Sequence, residues 1–162
     1  MNSNNKTAPA SPSIPAPGEG KRGEQGHIGY LLRQAASVHR VMLEAALADV
    51  EVTLPQFLVL TMLAAYPGAS GAELARLSLL TPATMSVIVT NLEKAGMVTR
   101  RPHAVHGRIR HIEVTDAGKK LLAQCKLRAT RAEAQLLEGV SASDEKAVRR
   151  WLAGIAQRLG AG

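Results

Sequence analysis

Thr81, Ala83, Thr84, Ser86, Val87, Thr90 and Asn91 fall in one short stretch and carry compact hydroxyl, methyl and amide groups. Such groups suit the floor of a DNA major groove, about 12 Å wide, where they reach hydrogen-bonding base edges or the methyl of thymine. The following residues have a different chemistry. From Lys94 to Ile112 the chain carries Arg100, Arg101, Arg108, Arg110 and the histidines His103, His106 and His111, with no acidic residue. A stretch of that kind can follow a phosphate backbone without internal repulsion. Nearer the start, Arg33, Ser37 and Arg40 recur at i, i+4 and i+7, with His39 beside them and His27 ahead. On a helix this spacing places them on nearly one face. Cations on an apolar cleft would take an aromatic carboxylate, while the same two arginines on a solvated face would take nothing, and the sequence leaves both readings open.

Other chemistry is missing. No paired carboxylates at a pocket, Gly-x-Ser-x-Gly elbow, phosphate-cradling glycine loop or His-Glu-x-x-His run is present, so no catalytic residue and no cofactor are expected. The three hairpin histidines have no cysteine near them and suit phosphate better than zinc, so no metal is expected either. Cys125, the single cysteine, falls in an apolar helical pattern and reads as a packed thiol.

A chain of 162 residues has room for one domain. Lys and Arg number 20 against 13 Asp and Glu, a net charge of +7 that points to a polyanionic partner, either nucleic acid or an anionic membrane surface. The hydrophobic fraction of 46% supports a sizeable core, and aromatics at 2% disfavour a base-stacking platform for single strands. With one cysteine, no apolar run long enough to span a bilayer and no apolar leader, the expectation is a soluble cytoplasmic protein without membrane contact. A basic non-catalytic scaffold or membrane-surface protein is the alternative, but it would spread its cations along one helix face rather than gather them in a hairpin.

The elements that must position these groups follow from local signals. Residues 1–26, with Pro9, Pro12, Pro15 and Pro17 and little to bury, read as a disordered tail. Apolar residues from Ile28 to Leu47 recur at three and four, which predicts a helix over 27–49. Thr53 with Gln56, and Ser70 with Glu73, have the spacing of capping boxes and open a second and a third helix. Thr81 then caps a fourth helix with Pro82 in its first turn, running through Met85, Ile88, Val89 and Leu92 to Gly96. Residues 97–100 and 109–114 read as a hairpin, Thr115-Asp116 as the start of a fifth helix to 138, and Ser143-Asp144 as the cap of a sixth. Two short capped helices followed by a basic hairpin have the order of a winged helix-turn-helix.

Ala72-Glu73-Leu74-Ala75, Leu80-Thr81-Pro82-Ala83-Thr84-Met85-Ser86, Asn91-Leu92-Glu93-Lys94-Ala95-Gly96-Met97-Val98-Thr99-Arg100 and Val114-Thr115-Asp116-Ala117-Gly118 resemble, in combination and order, the MarR family of transcriptional regulators. The resemblance covers about 27–159. It implies a mainly α fold: a winged helix-turn-helix core at 53–115 with a two-stranded β wing, flanked by dimerisation helices at 27–49 and 117–159. It further implies a homodimer on double-stranded DNA with an inverted-repeat operator, repressing until a small aromatic acid fills a pocket. Thr81, Ala83, Thr84, Ser86, Val87, Thr90 and Asn91 would face the bases, and Arg100, Arg101, His106, Arg108 and Arg110 would serve the wing. His27, Arg33, Ser37, His39 and Arg40 would bind the acid. The opening Gly26-His27-Ile28-Gly29-Tyr30 to Ala35 is similar to nicotinate-catabolism repressors of this family, implying a hydroxylated pyridine carboxylate. Two departures stand out: the recognition helix lacks the arginines many members carry, and the wing tip, often Asp-x-Arg, here reads His106-Gly107-Arg108. Arg108 is the expected minor-groove residue, without an acidic brace.

Overall fold

The computed structural model describes residues 14–102 and 110–159. The chain divides into two compact units, Met1–His39 and Arg40–Gly162. Its elements are α1 (Ile28–Leu47), α2 (Leu54–Ala65), α3 (Gly71–Leu77), α4 (Pro82–Lys94), β1 (Val98–Pro102), β2 (Arg110–Val114), α5 (Asp116–Leu136) and α6 (Ala142–Leu159), with 3-10 turns at Gly20–Arg22 and Ala48–Val50. The fold is mainly helical with one two-stranded antiparallel sheet, the winged helix-turn-helix order the sequence predicts. Among the described residues no single helix is long and apolar enough to cross a membrane.

In the first unit, the stretch expected as a featureless tail divides. Residues 1–13 lie outside the described residues, whereas 14–26 hold a 3-10 turn fastened by polar contacts. Arg22 Nη1 donates to the Pro15 carbonyl at 2.8 Å, and Gln34 Nε2 donates to the Arg22 carbonyl at 3.1 Å. Tyr30 Oη in turn donates to Gln34 Oε1 at 2.9 Å. Counting apolar residues misses an anchor made of backbone carbonyls and side-chain donors.

In the second unit the core is aliphatic. Leu47, Phe57, Leu60, Leu63, Leu74, Met85, Val89, Leu92, Val98, Ile112, Leu122 and Cys125 are buried together, joining the end of α1 to α2, α3, α4, both strands and α5. Each helix of the central trio starts where a side chain takes an orphan N–H. Both capping boxes are present: in the second, Ser70 N–H donates to Glu73 Oε2 at 2.8 Å while Glu73 N–H donates to Ser70 Oγ at 3.3 Å. Thr81 Oγ1 accepts from Thr84 N–H at 3.1 Å, with Pro82 next in line. The sixth helix corrects the expected cap. Ser141, not Ser143, takes the Asp144 N–H at 3.1 Å, because only Ser141 stands three residues ahead of an acid that can answer it, here by a 2.7 Å bond.

The strands pair with Val98 opposite Val114, Arg100 opposite Ile112 and Arg101 opposite His111. Gly96, at φ +73°, ends α4 in the left-handed region and turns the chain into β1. The Val114 to Gly118 segment then locks the hairpin to α5. Thr115 Oγ1 donates to the Gly96 carbonyl at 2.7 Å and accepts from Gly118 N–H at 3.1 Å. A methyl placed on Gly118 would lie 2.1 Å from the Met97 carbonyl oxygen, so this crossing admits only glycine. Between α3 and α4 the chain makes a costlier turn. Leu79 sits at φ +55°, a left-handed conformation that costs a non-glycine residue roughly 1–2 kcal/mol.

Candidate nucleic-acid interface

The recognition surface is built from the inside out. Met85, Ile88, Val89 and Leu92 are buried, which fixes the rotation of α4 and turns Thr81, Ala83, Thr84, Ser86, Val87 and Asn91 to solvent. All six stand exposed, as a base-reading face requires. Thr90 differs: it is half-buried, and its Oγ1 accepts from Arg100 Nη2 at 3.1 Å. Thr81 has a double part, because the oxygen that caps the helix also lies 2.9 Å from Thr84 Oγ1.

The wing arginines are less free than an acid-free run suggests. Arg100 Nη1 pairs with Glu93 Oε2 at 2.8 Å, so its guanidinium bridges Glu93 and Thr90 on α4 with the side chain only 25% exposed. Arg101 Nε pairs with Glu113 Oε2 at 3.0 Å across the strands, both groups well exposed. The two acids stand immediately outside the stretch from Lys94 to Ile112, and the fold brings them onto its arginines. Arg100 is thereby a brace between β1 and α4 rather than an open phosphate contact. Arg101, in an exposed pair of low cost to break, can exchange its carboxylate for a phosphate. His106 and Arg108, with His103, lie outside the described residues, and Arg110 is placed by its backbone alone, opposite Pro102. His111 is turned inward, its Nδ1 donating to the Gly68 carbonyl in the turn after α2. Among the described residues no group of three or more His, Cys, Asp or Glu could hold a metal.

The expected acid-binding residues lie along α1, with His27 immediately ahead of it. His27, Arg33, Ser37, His39 and Arg40 are all exposed, and Arg40 Nη1 is engaged by Glu44 at 2.9 Å. His27 lines a cleft of about 380 Å³ with Lys21, Arg22, Gln25 and Tyr30. Sequence reasoning missed a second cleft of about 360 Å³ in the second unit, where Met42, Ala45, Ala46 and Ala132 form an apolar wall beside Arg128 and Arg131. Arg128 is spoken for, donating from Nε and Nη2 to the two carboxylate oxygens of Asp49 at 3.0 and 2.6 Å. That guanidinium holds the Asp49 carboxyl below the usual carboxylate range. Arginines 128 and 131 beside alanine 132 were the available signal, but their helix face is readable only once α1 and α5 are packed. Burial pushes the Cys125 thiol up and keeps it neutral, in keeping with a packed role.

Comparison with known proteins agrees with this geometry. The sequence profile of the MarR family matches residues 51–109. The HTH-type transcriptional repressor Rv2887 of Mycobacterium tuberculosis is 35% identical over 125 residues, spanning 77% of this chain and 90% of the relative. Its crystal structure in complex with salicylic acid aligns with TM-score 0.67 and 33% identity, covering 82% of this chain and 98% of that one. Its complex with DNA aligns with TM-score 0.66 and 32% identity, covering 80% and 98%.

Proposed function

The chain belongs to the MarR family of transcriptional regulators, which are not enzymes, and on that premise we propose that it is a homodimeric repressor of sequence-specific type. It binds double-stranded DNA at an inverted repeat and is released by a small aromatic carboxylate. The observation that carries this reading is the division of α4 into a buried aliphatic face and an exposed face of small hydroxyl, amide and methyl groups, opened by a capped N-terminus. In this reading residues 53–115 are the DNA-binding core, and 27–49 with 117–159 supply the dimer helices. Thr81, Ala83, Thr84, Ser86, Val87 and Asn91 read bases. Arg101, His106, Arg108 and Arg110 serve the backbone or minor groove, with the three from the wing tip and its edge argued from sequence alone. Two copies address half-sites roughly 34–36 Å apart, one helical turn.

Release requires the acid to favour a dimer whose reading heads no longer match that spacing, by about 1–3 kcal/mol of coupling. Salicylate is supported as the first acid to try by the relative that binds it, and a hydroxylated nicotinate by the opening of α1. Arg33 and Arg131 are the cations to compare, the first from its place on α1 and the second from its apolar cleft. The test is selection of duplexes from a randomised library, followed by titration of the enriched duplex with and without each acid. Enrichment of an inverted repeat whose binding weakens about fivefold or more with one of the acids is the expected result. Enrichment of no sequence would overturn the DNA-binding reading, and indifference to both acids, with no rise in melting temperature, would remove the effector.

A further inference from the structure

Two unusual features stand side by side in the turn between α3 and α4. Leu79 occupies the left-handed region at φ +55° and is 93% exposed. Ser78, the residue before it, has a buried Oγ without a hydrogen-bond partner among the described residues. Glycine would adopt this backbone without penalty, and a polar side chain would suit such exposure, so neither stability nor solubility accounts for leucine here. Its place in the fold does. Thr81, two residues later, caps α4, so Leu79 stands at the N-terminal end of the helix, the end that a recognition helix directs at base edges.

The chemistry of α4 points the same way. From Pro82 to Glu93 it carries no lysine or arginine, so it lacks the bidentate donors that read guanine. Its exposed face offers hydroxyls, the Asn91 amide and one large apolar group, Val87, 61% exposed. An apolar side chain has one specific partner in the major groove, the C5-methyl group of thymine.

We propose that Leu79 is a specificity-determining residue, which with Val87 contacts the C5-methyl groups of two thymines in each half-site, so that the operator is selected on those methyls. This rests on the DNA-binding reading above and deepens it. The left-handed turn itself ends α3, closed by the Leu79 N–H on the Arg76 carbonyl and the Leu80 N–H on the Ala75 carbonyl; leucine rather than glycine is kept there because it stands forward of the N-terminus of α4, where the groove can cover it.

Deoxyuridine differs from thymidine by that methyl alone, so the contact can be removed from the DNA without altering the protein. The probe is the duplex enriched by the wild-type chain, with each thymine replaced in turn by uracil. Wild type should lose about fourfold in affinity at one thymine per half-site through Leu79, the burial of one carbon converted to a binding ratio, and similarly at a second through Val87. L79G should melt higher than wild type by roughly 2–5 °C, as the strain is relieved. It should bind the thymine duplex about sixteenfold more weakly, because both protomers lose the contact that a single uracil removes from one half-site, and show no further loss when its own thymine becomes uracil. L79A keeps the strain and shortens the side chain, so it should share the binding defect without the gain in melting temperature; V87A should lose its sensitivity at the other thymine. Equal sensitivity to uracil in wild type and L79G at every position, or no sensitivity anywhere, would overturn the proposal while leaving DNA binding intact. Failure of the library to enrich any duplex would bring down both together.

Discussion

Arg100 spends both terminal nitrogens on α4, one on the Glu93 carboxylate and one on the Thr90 hydroxyl, and this decides what its removal would do. A guanidinium that neutralises a phosphate releases a counterion, and its loss flattens the log–log dependence of affinity on salt by about one unit. A guanidinium that braces a strand against a helix releases none. Arg100→Ala is therefore expected to lower stability by less than about 1 kcal/mol, the range for a partly exposed ion pair, and to leave the salt slope unchanged. Arg108→Ala, if that residue reaches the backbone or minor groove, should flatten the slope instead. Thermal melts and fluorescence anisotropy over a salt series separate the two, and a drop of about one unit with Arg100→Ala would return it to the set of phosphate contacts. The acid-free run from Lys94 to Ile112 is a true property of the sequence. Its electrostatic meaning changed because the neighbours that matter are the acids that strand pairing and helix docking bring in.

At the scale of elements, the joint between hairpin and α5 is as constrained as any base-reading residue. Gly118 crosses the Met97 carbonyl so closely that Gly118→Ala must displace backbone, and a loss of about 3 kcal/mol or more is expected in chemical denaturation. Gly71→Ala, where an added methyl meets nothing within 4 Å, should change stability by no more than about 0.5 kcal/mol. Equal effects would mean that the joint yields. A second link, from the 3-10 turn after α1 to α5, is the Asp49 and Arg128 pair, and it carries a pH signature. Because the carboxyl is held below its ordinary range when folded, its contribution is complete above roughly pH 4 and is lost as pH falls through the lowered folded value. Denaturation curves of wild type and Asp49→Asn should be separated by a constant margin at neutral pH and converge towards pH 2. A margin that persists in acid would assign the effect to something other than this ion pair.

For the whole molecule, the unpartnered apolar surface is the informative feature. Val148, Trp151 and Leu152 recur along α6 at helical spacing and remain exposed in the single chain. Two-fold pairing through this helix, as the proposed homodimer requires, would cover them. The chain has one tryptophan, so Trp151 reports on that burial directly. Its emission should shift to longer wavelength on dilution as dimers separate, and Leu152→Glu should show the shifted emission at every concentration, sediment as a monomer and lose at least tenfold in affinity for the two-half-site duplex. A monomeric Leu152→Glu that bound the duplex as tightly as wild type would detach DNA binding from pairing.

The order of elements, the caps at Thr53, Ser70 and Thr81, and the buried face of α4 were legible in the sequence because each depends on residues three or four apart along one chain segment. The same locality made the exposed base-reading residues visible, since fixing one helix face fixes the other. Tertiary structure alone decided which arginines remain open and that His111 turns to Gly68 across 43 residues. The left-handed turn at Leu79 is a local matter, closed by the Leu79 N–H on the Arg76 carbonyl and the Leu80 N–H on the Ala75 carbonyl, and it was hidden because leucine stands where glycine usually does. Ion-pair partners are chosen by strand register and helix docking, which no spacing along a single helix specifies.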